Sequence, residues 1–339
     1  MMDTRKITVI SVAVIAAALT VAVGVVIGPN RIATASETTG DRELSTVLRD
    51  NAPKGSHRIA AFTLQDGEAT FSGLGADEHT EFEIGSITKT FTAELLSNAV
   101  ERGDLSRDTT VGEVIDIPGA DAEDITMEEL ATHTSGLPRL SNMGVQAFLA
   151  SVTGGNPYEG NTSDKLFDDT RTATLNNRGQ FAYSNFGVAL LGQLVARASG
   201  TTYAELLQKE ILIPLGMSET YLMAPGSVPD DAPRGLTSRG REATAWEMDA
   251  DAPAGAIRST AHDMAIYTDH ILTQPEVNST WIEEAEGTYF HNGGTGGYSS
   301  MLVLDHSAGT AAFALTDTTS SVDDLGRILL DHARNRSQQ

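Results

Sequence analysis

The chain has 339 residues, no cysteine and a formal charge of −23 at pH 7. That charge excludes the concentrated lysine and arginine that contacts with nucleic acid need; its plainer consequence is solubility. The missing cysteines exclude a disulfide framework, a thiolate nucleophile, a cysteine-ligated zinc and an iron–sulfur cluster.

Arg5 and Lys6 precede Ile7 to Ile27, a run without a charged residue that ends at Gly28-Pro29. The run is long for the apolar part of a signal peptide and long enough to span a bilayer. Ala33-Thr34-Ala35 offers a small-x-small cleavage point. Residues 1–35 therefore read as an export signal cleaved after Ala35, or as a retained N-terminal membrane anchor. In both cases Arg5 and Lys6 stay inside, and the rest is expected to be secreted or held at the outer face of the cytoplasmic membrane. Residues 36–339 are long enough for a sizeable core.

In chain order, Thr38 to about Asn51 reads as a helix carrying Leu44, Val47 and Leu48. Arg58 to Gly73 reads as a β-hairpin around Asp66-Gly67. Ser86-Ile87-Thr88-Lys89 opens an amphipathic helix with Phe91, Leu95, Leu96, Ala99 and Val100 at helical spacing, stopped at Gly103. About 109–250 is helices and loops with glycine, asparagine and proline punctuation. Ser259 to Asp263 is a capped start to a helix ending near Leu272. Gly287 to His291, Tyr298 to Leu304 and Ala311 to Thr316 are short strands, with Asp305 to Gly309 as a turn. Ser320 to about Arg336 is a closing helix. The pattern predicts an α+β fold: an antiparallel β-sheet built from both ends of the chain, flanked by helices, with an all-helical subdomain inserted at about 109–250. The cleft between the two parts is the natural site.

Ser86 and Lys89 project from one helix face, a turn apart. A hydroxyl is a weak nucleophile without a nearby base, and a desolvated lysine could supply one. Alone, the pair is more often an N-cap serine beside a surface lysine. Yet the chain has only five lysines, and one of them falls here. Phe181-Ala182-Tyr183-Ser184-Asn185-Phe186-Gly187 is a loop that opens a helix from Val188 to Ser199. Tyr183, set beside a lysine, could shuttle protons; its ordinary alternative is a ring packed in the core. Asn185 could donate to a substrate carbonyl and hold Lys89. His291-Asn292-Gly293-Gly294-Thr295-Gly296-Gly297-Tyr298 is dense enough in glycine to bring free N–H groups close to a ligand. It lacks the G-K-[ST] of a phosphate loop, and a turn between strands is its plain alternative. His133, in Leu130-Ala131-Thr132-His133-Thr134-Ser135-Gly136-Leu137-Pro138, is a base in isolation or a support for the turn after a helix. No H-E-x-x-H and no clustered histidine–carboxylate motif marks a metal site, no G-x-S-x-G elbow is present, and no cofactor is expected.

Taken in order, Ser86-x-x-Lys89, Tyr183-Ser184-Asn185 and His291-Asn292-Gly293 resemble the β-lactamase-related serine hydrolases. These comprise class C β-lactamases, D-Ala-D-Ala carboxypeptidase penicillin-binding proteins and β-lactamase-like esterases. The Thr132 to Pro138 stretch, Ile213-Pro214-Leu215-Gly216-Met217 and Ala254 to Met264 are similar too, so the resemblance covers nearly all of residues 36–339. It implies a β-lactamase/transpeptidase-like fold, with Ser86 as acylated nucleophile, Lys89 as its activating partner and Tyr183 as proton relay. It implies that Asn185 orients the substrate, that the N–H groups of Ser86 and Gly294 form the oxyanion hole, and that His291 and Gly293 line the pocket, His291 assisting electrostatically. One position departs: class C lactamases carry K-T-G where this chain has His291-Asn292-Gly293, and histidine is only partly charged near neutrality. The expected function is therefore cleavage of an amide or ester by a carboxypeptidase-like or esterase-like member, with β-lactam hydrolysis or non-catalytic binding of the cell envelope as alternatives. The expected partner is a small molecule or peptide: a peptidoglycan stem peptide, an ester or a β-lactam.

Overall fold

The computed structural model describes residues 32–141, 150 and 153–336, so the expected export segment lies, up to residue 31, outside the described residues. The first departure from the sequence reading comes at once. Thr38–Gly40 is a short strand, β1, and the helix α1 begins only at Arg42–Asn51. Gly40 takes a φ of +69°, and a Cβ there would stand 2.2 Å from the Phe71 carbonyl oxygen. Only glycine allows the chain to turn so close to its neighbour, and Asp41 then caps α1 by accepting from Leu44 N.

The hairpin forms as the alternation predicts: β2 (Ile59–Gln65) and β3 (Glu68–Leu74) flank Asp66 and Gly67, both at positive φ. β4 (Phe82–Glu83) leads through a single 3₁₀ turn, Gly85–Ile87, into α2 (Thr88–Arg102). Gly103 ends α2 in the left-handed conformation. The stretch that follows is mainly helical: α3 (Val111–Val114), α4 (Met127–Ala131), α5 (Ser163–Thr172), α6 (Asn185–Ala198), α7 (Tyr203–Leu207), a π turn at Gln208–Leu212, and α8 (Ile213–Leu215). A two-residue strand, β5 (Tyr221–Leu222), and α9 (Ala252–Gly255) precede β6 (Ile257–Ser259) and α10 (Ala261–Thr273). Thr260 caps α10 by accepting from Asp263 N, as its sequence signal predicts. β7 (Ile282–Ala285), β8 (Thr288–Gly294), β9 (Ser299–Asp305), β10 (Thr310–Thr316) and α11 (Asp323–Arg336) complete the described chain.

The large sheet has seven strands in the order β1-β3-β2-β10-β9-β8-β7, each neighbour antiparallel. Its order joins the two ends of the chain, since β2 pairs with β10. Along β2 the side chains alternate between two cores. Ile59 and Ala61 pack with Leu44 and Leu48 of α1 and Leu325 and Leu329 of α11; Ala60, Phe62 and Leu64 join the larger core under α2 and α10. Helices therefore cover both faces, which explains why a central antiparallel strand is apolar on both sides.

A second, three-stranded sheet runs β4-β6-β5. It ties the turn before α2 to α9: Ile84 N donates to Ile257 O at 3.1 Å, and Ile257 N to Thr88 Oγ1 at 3.1 Å. α9 is pressed against α6 at Gly192, where an added Cβ would stand 2.3 Å from Pro253 Cβ. Thr92 Oγ1 of α2 fixes the same turn by donating to Pro253 O at 2.7 Å. Gly192→Ala is thus expected to overpack this three-helix junction and cost about 1–3 kcal/mol. A denaturant melt of purified variant and parent measures the loss; an unchanged midpoint would show that α9 has slack the packing does not suggest.

Candidate active site

Ser86 sits in the 3₁₀ turn and not in the first turn of α2 itself, half-buried at the mouth of the helix. Lys89 lies one turn on and is fully buried. Its Nζ is 3.1 Å from Ser86 Oγ and donates to the Ala254 carbonyl at 2.5 Å. Burial pulls the Lys89 pKa below that of an ordinary lysine, because the interior disfavours the ammonium; a Tyr183 phenolate would act in the opposite sense. Tyr183 donates its phenolic hydrogen to Ser86 Oγ at 2.8 Å, and Lys89 Nζ stands 5.0 Å from the centre of its ring. Three groups from two distant segments thus meet on one oxygen.

Tyr183 is held from behind. His133 adopts a φ of +59°, is buried, and accepts from Ser184 N at Nδ1 over 3.2 Å, its ring 4.6 Å from that of Tyr183. Its carbonyl accepts from Ala182 N. Burial and the Lys89 charge push its pKa down to about 4. With its Nδ1 lone pair engaged, His133 supports the Tyr183 turn, as the second of its two sequence readings has it.

The glycine-rich segment is a continuation of strand and not only a turn, since β8 runs to Gly294 and pairs Gly293 with Ser300 of β9. A Cβ on Gly293 would stand 2.0 Å from Ile84 O, and one on Gly85 would stand 2.6 Å from Gly294 N. Two glycines facing each other let the strand end lie against the Ser86 turn, with the Gly294 amide against Gly85, the residue before the serine. Gly293, Gly294, Ser86 and Tyr183 line one cleft of about 460 Å³, with Arg139 and Asp323 among its other walls.

Two expectations change. Asn185 does not hold Lys89; that contact belongs to the Ala254 carbonyl. Asn185 is the first residue of α6, its Nδ2 donates to Tyr158 OH at 3.3 Å, and its Oδ1 is buried without a protein partner. An oxygen left so is costly, and, like His291, Asn185 is not among the residues that line the cleft. His291 is 2% exposed and does not line the cleft; its Nδ1 faces the Asn292 carbonyl at 2.9 Å, which fixes the hydrogen on Nδ1. Burial, with the Lys89 charge adding to it, pushes its pKa down to about 3. The imidazole is neutral near pH 7, so it supplies no positive charge in place of a lysine.

Sequence reasoning missed Arg139, Tyr158 and Ala254 as parts of the site. Arg139 is exposed, its guanidinium stands 5.1 Å from the centre of the Tyr183 ring, and its carbonyl accepts from the first two amides of α6. It directly follows the Thr132 to Pro138 stretch, so its position was readable; its proximity to Tyr183 was not. Tyr158 carries no local signal at all. Among the described residues that line the cleft, Arg139 is the sole cation.

Residues 55–310 match the Beta-lactamase family. The chain belongs to that family. Its relatives include the "Beta-lactamase" of Providencia stuartii, 28% identical over 219 residues that make up 64% of this chain and 53% of that protein. A second is the "D-alanyl-D-alanine-carboxypeptidase/endopeptidase AmpH" of Escherichia coli (strain K12), 29% identical over 196 residues, 56% of this chain and 48% of that one. The chain spans about half the length of these curated relatives. Among solved structures, the beta-lactamase/D-alanine carboxypeptidase from Pseudomonas syringae superposes with a TM-score of 0.70 at 17% identity, covering 88% of this chain and 97% of that one. A class C beta lactamase from Rhodobacter sphaeroides gives 0.67 at 21%, covering 86% and 97%. The β-lactamase/transpeptidase-like fold implied by the three motifs is the fold of this chain.

The neutral His291 has a measurable consequence. Its ring resonances, followed by NMR, are expected not to titrate between about pH 8 and pH 5, where a free histidine would change charge. The unfolded chain takes up a proton near pH 6.5 that folded His291 and His133 refuse until about 3 and 4. Their contribution to stability is therefore complete above about pH 6.5 and drains away as the pH falls through that window, by on the order of a few kcal/mol. His291→Gln should flatten part of the loss; a His291 signal that titrates near 6.5 would contradict the buried neutral ring.

Proposed function

We propose that this member of the Beta-lactamase family is a serine acyl hydrolase that cleaves an amide or ester through an acyl-enzyme on Ser86. The observation that carries the reading is the convergence of Lys89 Nζ and Tyr183 OH on Ser86 Oγ, 3.1 and 2.8 Å away, beside the Gly294 amide. In this scheme a neutral Lys89 amine accepts the Ser86 proton as Oγ bonds to the substrate carbonyl carbon. The carbonyl π electrons move onto oxygen, where the N–H groups of Ser86 and Gly294 stabilise the charge; one such donor contributes roughly 3 kcal/mol to the barrier. Collapse breaks the bond to the amine or alcohol, which leaves with a proton relayed through Tyr183. Water then adds to the ester, gives its proton back through Tyr183 and Lys89, and releases the acid and free Ser86. Asn185, two residues on from Tyr183 at the start of α6, would orient the acyl portion.

For the substrate, we favour a carboxypeptidase-like reading, an acyl donor with a free carboxylate. The support is the charge pattern: the buried, neutral His291 offers no cation, while Arg139 stands on the cleft wall beside Tyr183. A guanidinium there suits a carboxylate in the cleft. The esterase reading keeps the same chemistry without that anchor, and a β-lactamase would have to bind its substrate carboxylate through Arg139. We also propose export, on the strength of the uncharged run from Ile7 to Ile27. Thr34 and Ala35, which cleavage after Ala35 would remove, dock on Ser56 and His57, a contact that favours the retained anchor.

Ser86→Ala is expected to lower turnover by roughly 10⁴-fold or more, and a fluorescent penicillin should label the parent but not the variant. Parent-like turnover by the variant would end the proposal. A panel of a D-Ala-D-Ala peptide, a neutral nitrophenyl ester and nitrocefin separates the substrate readings. Arg139→Ala should raise KM for the carboxylate-bearing peptide about tenfold, the worth of one charged hydrogen bond, and leave the neutral ester unchanged. Equal losses on both would assign Arg139 to Tyr183 and not to the substrate.

A further inference from the structure

Away from the cleft, three side chains from separate parts of the chain converge. His79 lies in the loop between β3 and β4, Glu219 shortly before β5, and His262 in the first turn of α10. His79 Nδ1 is 3.0 and 3.1 Å from the two Glu219 carboxylate oxygens. His262 Nδ1 is 3.8 Å from Glu219 Oε2, and the three ligating atoms all lie within 4.8 Å of one another. The two imidazoles are 5.1 Å apart, centre to centre.

The surroundings hold these groups in place. Thr260 Oγ1 donates to Glu219 Oε2 at 3.0 Å, and Glu219 N donates to Asp263 Oδ2 at 2.8 Å. His262 N donates to the Glu78 carbonyl, and the His262 ring stacks on Phe71. Asp263, fully buried, sets its Oδ1 3.2 Å from His262 Nδ1. The Thr260 hydroxyl and the buried Asp263 carboxylate, which fix Glu219, are outer partners of the kind that orient a metal ligand; at His262 the same Asp263 competes for Nδ1, so an ion taking that nitrogen displaces the 3.2 Å contact. His79 Nδ1 has Glu219 as its nearest carboxylate and His262 Nδ1 has Asp263; with both rings neutral, a cation held by the two nitrogens and Glu219 would take the place of the hydrogens they now share.

We propose that His79, Glu219 and His262 form a binding site for a divalent zinc ion. Two imidazole nitrogens and one carboxylate are a zinc donor set, leaving one position of the tetrahedron open to solvent. Bonds of roughly 2.0–2.1 Å place tetrahedral ligand atoms about 3.3 Å apart; the two histidine–glutamate contacts, 3.0 and 3.8 Å, lie on either side of that spacing, and the histidine pair lies within 4.8 Å. The ion would clip together the loop before β4, the segment before β5 and the start of α10. The first of these hands the chain to Ser86. Sequence reading expects no metal here because the ligands are scattered at positions 79, 219 and 262, without a local motif. The proposal does not depend on the hydrolase reading.

Zinc titration of the purified, tag-free chain after chelator treatment tests it. Calorimetry should give one zinc per chain with a rise in melting temperature, and the cobalt-substituted protein should show the visible bands of a four-coordinate ion. His79→Ala and His262→Ala should each weaken binding roughly tenfold or more, at least the loss seen when an outer partner of a ligand is removed. Ser86→Ala should bind like the parent. Both histidine variants carry their change on partly exposed side chains, and melting in chelator checks that they remain folded; Glu219→Gln, of the same shape, supplies a third variant. Failure of the parent to bind zinc, or binding that all three variants retain, overturns the proposal.

Discussion

The burial of Lys89 is the constraint around which the rest is arranged. An ammonium removed from water is disfavoured by several kcal/mol unless it is paired or gives up its proton. Among the described residues no carboxylate hydrogen-bonds to it, and the hydrogen bonds it makes are to the Ala254 carbonyl and the Ser86 hydroxyl. Both are neutral acceptors, and neither offsets a full charge as a carboxylate would. The environment therefore leans toward the amine, the form with a lone pair to offer a serine proton. α9 exists in this sense to present one carbonyl, and Gly192, Thr92 and the β4-β6-β5 sheet exist to hold α9 where that carbonyl is needed.

A second constraint closes the site from the other side. The turn carrying Ser86 comes from the start of the domain and β8 from its end. They can lie backbone to backbone only because Gly85 and Gly293 lack side chains, and Ser300 Oγ of the next strand locks the contact by donating to Ile84 O. The seven-stranded sheet, joined through β2 and β10, is what brings these ends together. Fold topology and oxyanion geometry are thus one requirement seen at two scales.

These relations explain what could be read from the chain and what could not. Elements with a strong local cause were legible: the Asp66-Gly67 hairpin, the Gly103 stop, the Thr260 cap and the apolar face of α2. Ser86, Lys89 and Tyr183 were legible as residue types in order, because the nucleophile, base and relay proposed for them demand particular side chains. Thr38–Gly40 was not, because its strand conformation is imposed by pairing with β3 and by the room at Gly40, both non-local. Ala254 escaped notice for a deeper reason. It contributes a backbone carbonyl, and any residue has one. Tyr158 and the grouping of His79, Glu219 and His262 likewise depend on tertiary proximity between segments that carry no shared spacing.

His291 shows how a single substitution has to be judged by environment and not by residue type. Read in sequence, histidine in place of lysine is a weakened cation. In the fold it is no cation at all, since its ring is enclosed and burial disfavours the imidazolium more than the Asn292 carbonyl at Nδ1 favours it. A lysine at this position would place a second ammonium near Lys89 and drive the two to compete for the neutral form. A neutral imidazole avoids that competition while filling the space. Among the described residues of the cleft, positive charge then comes only from the rim, where Arg139 is exposed beside the Tyr183 ring. The cation has moved from the floor of the site to its wall, and the end of the substrate that a charge could grip moves with it.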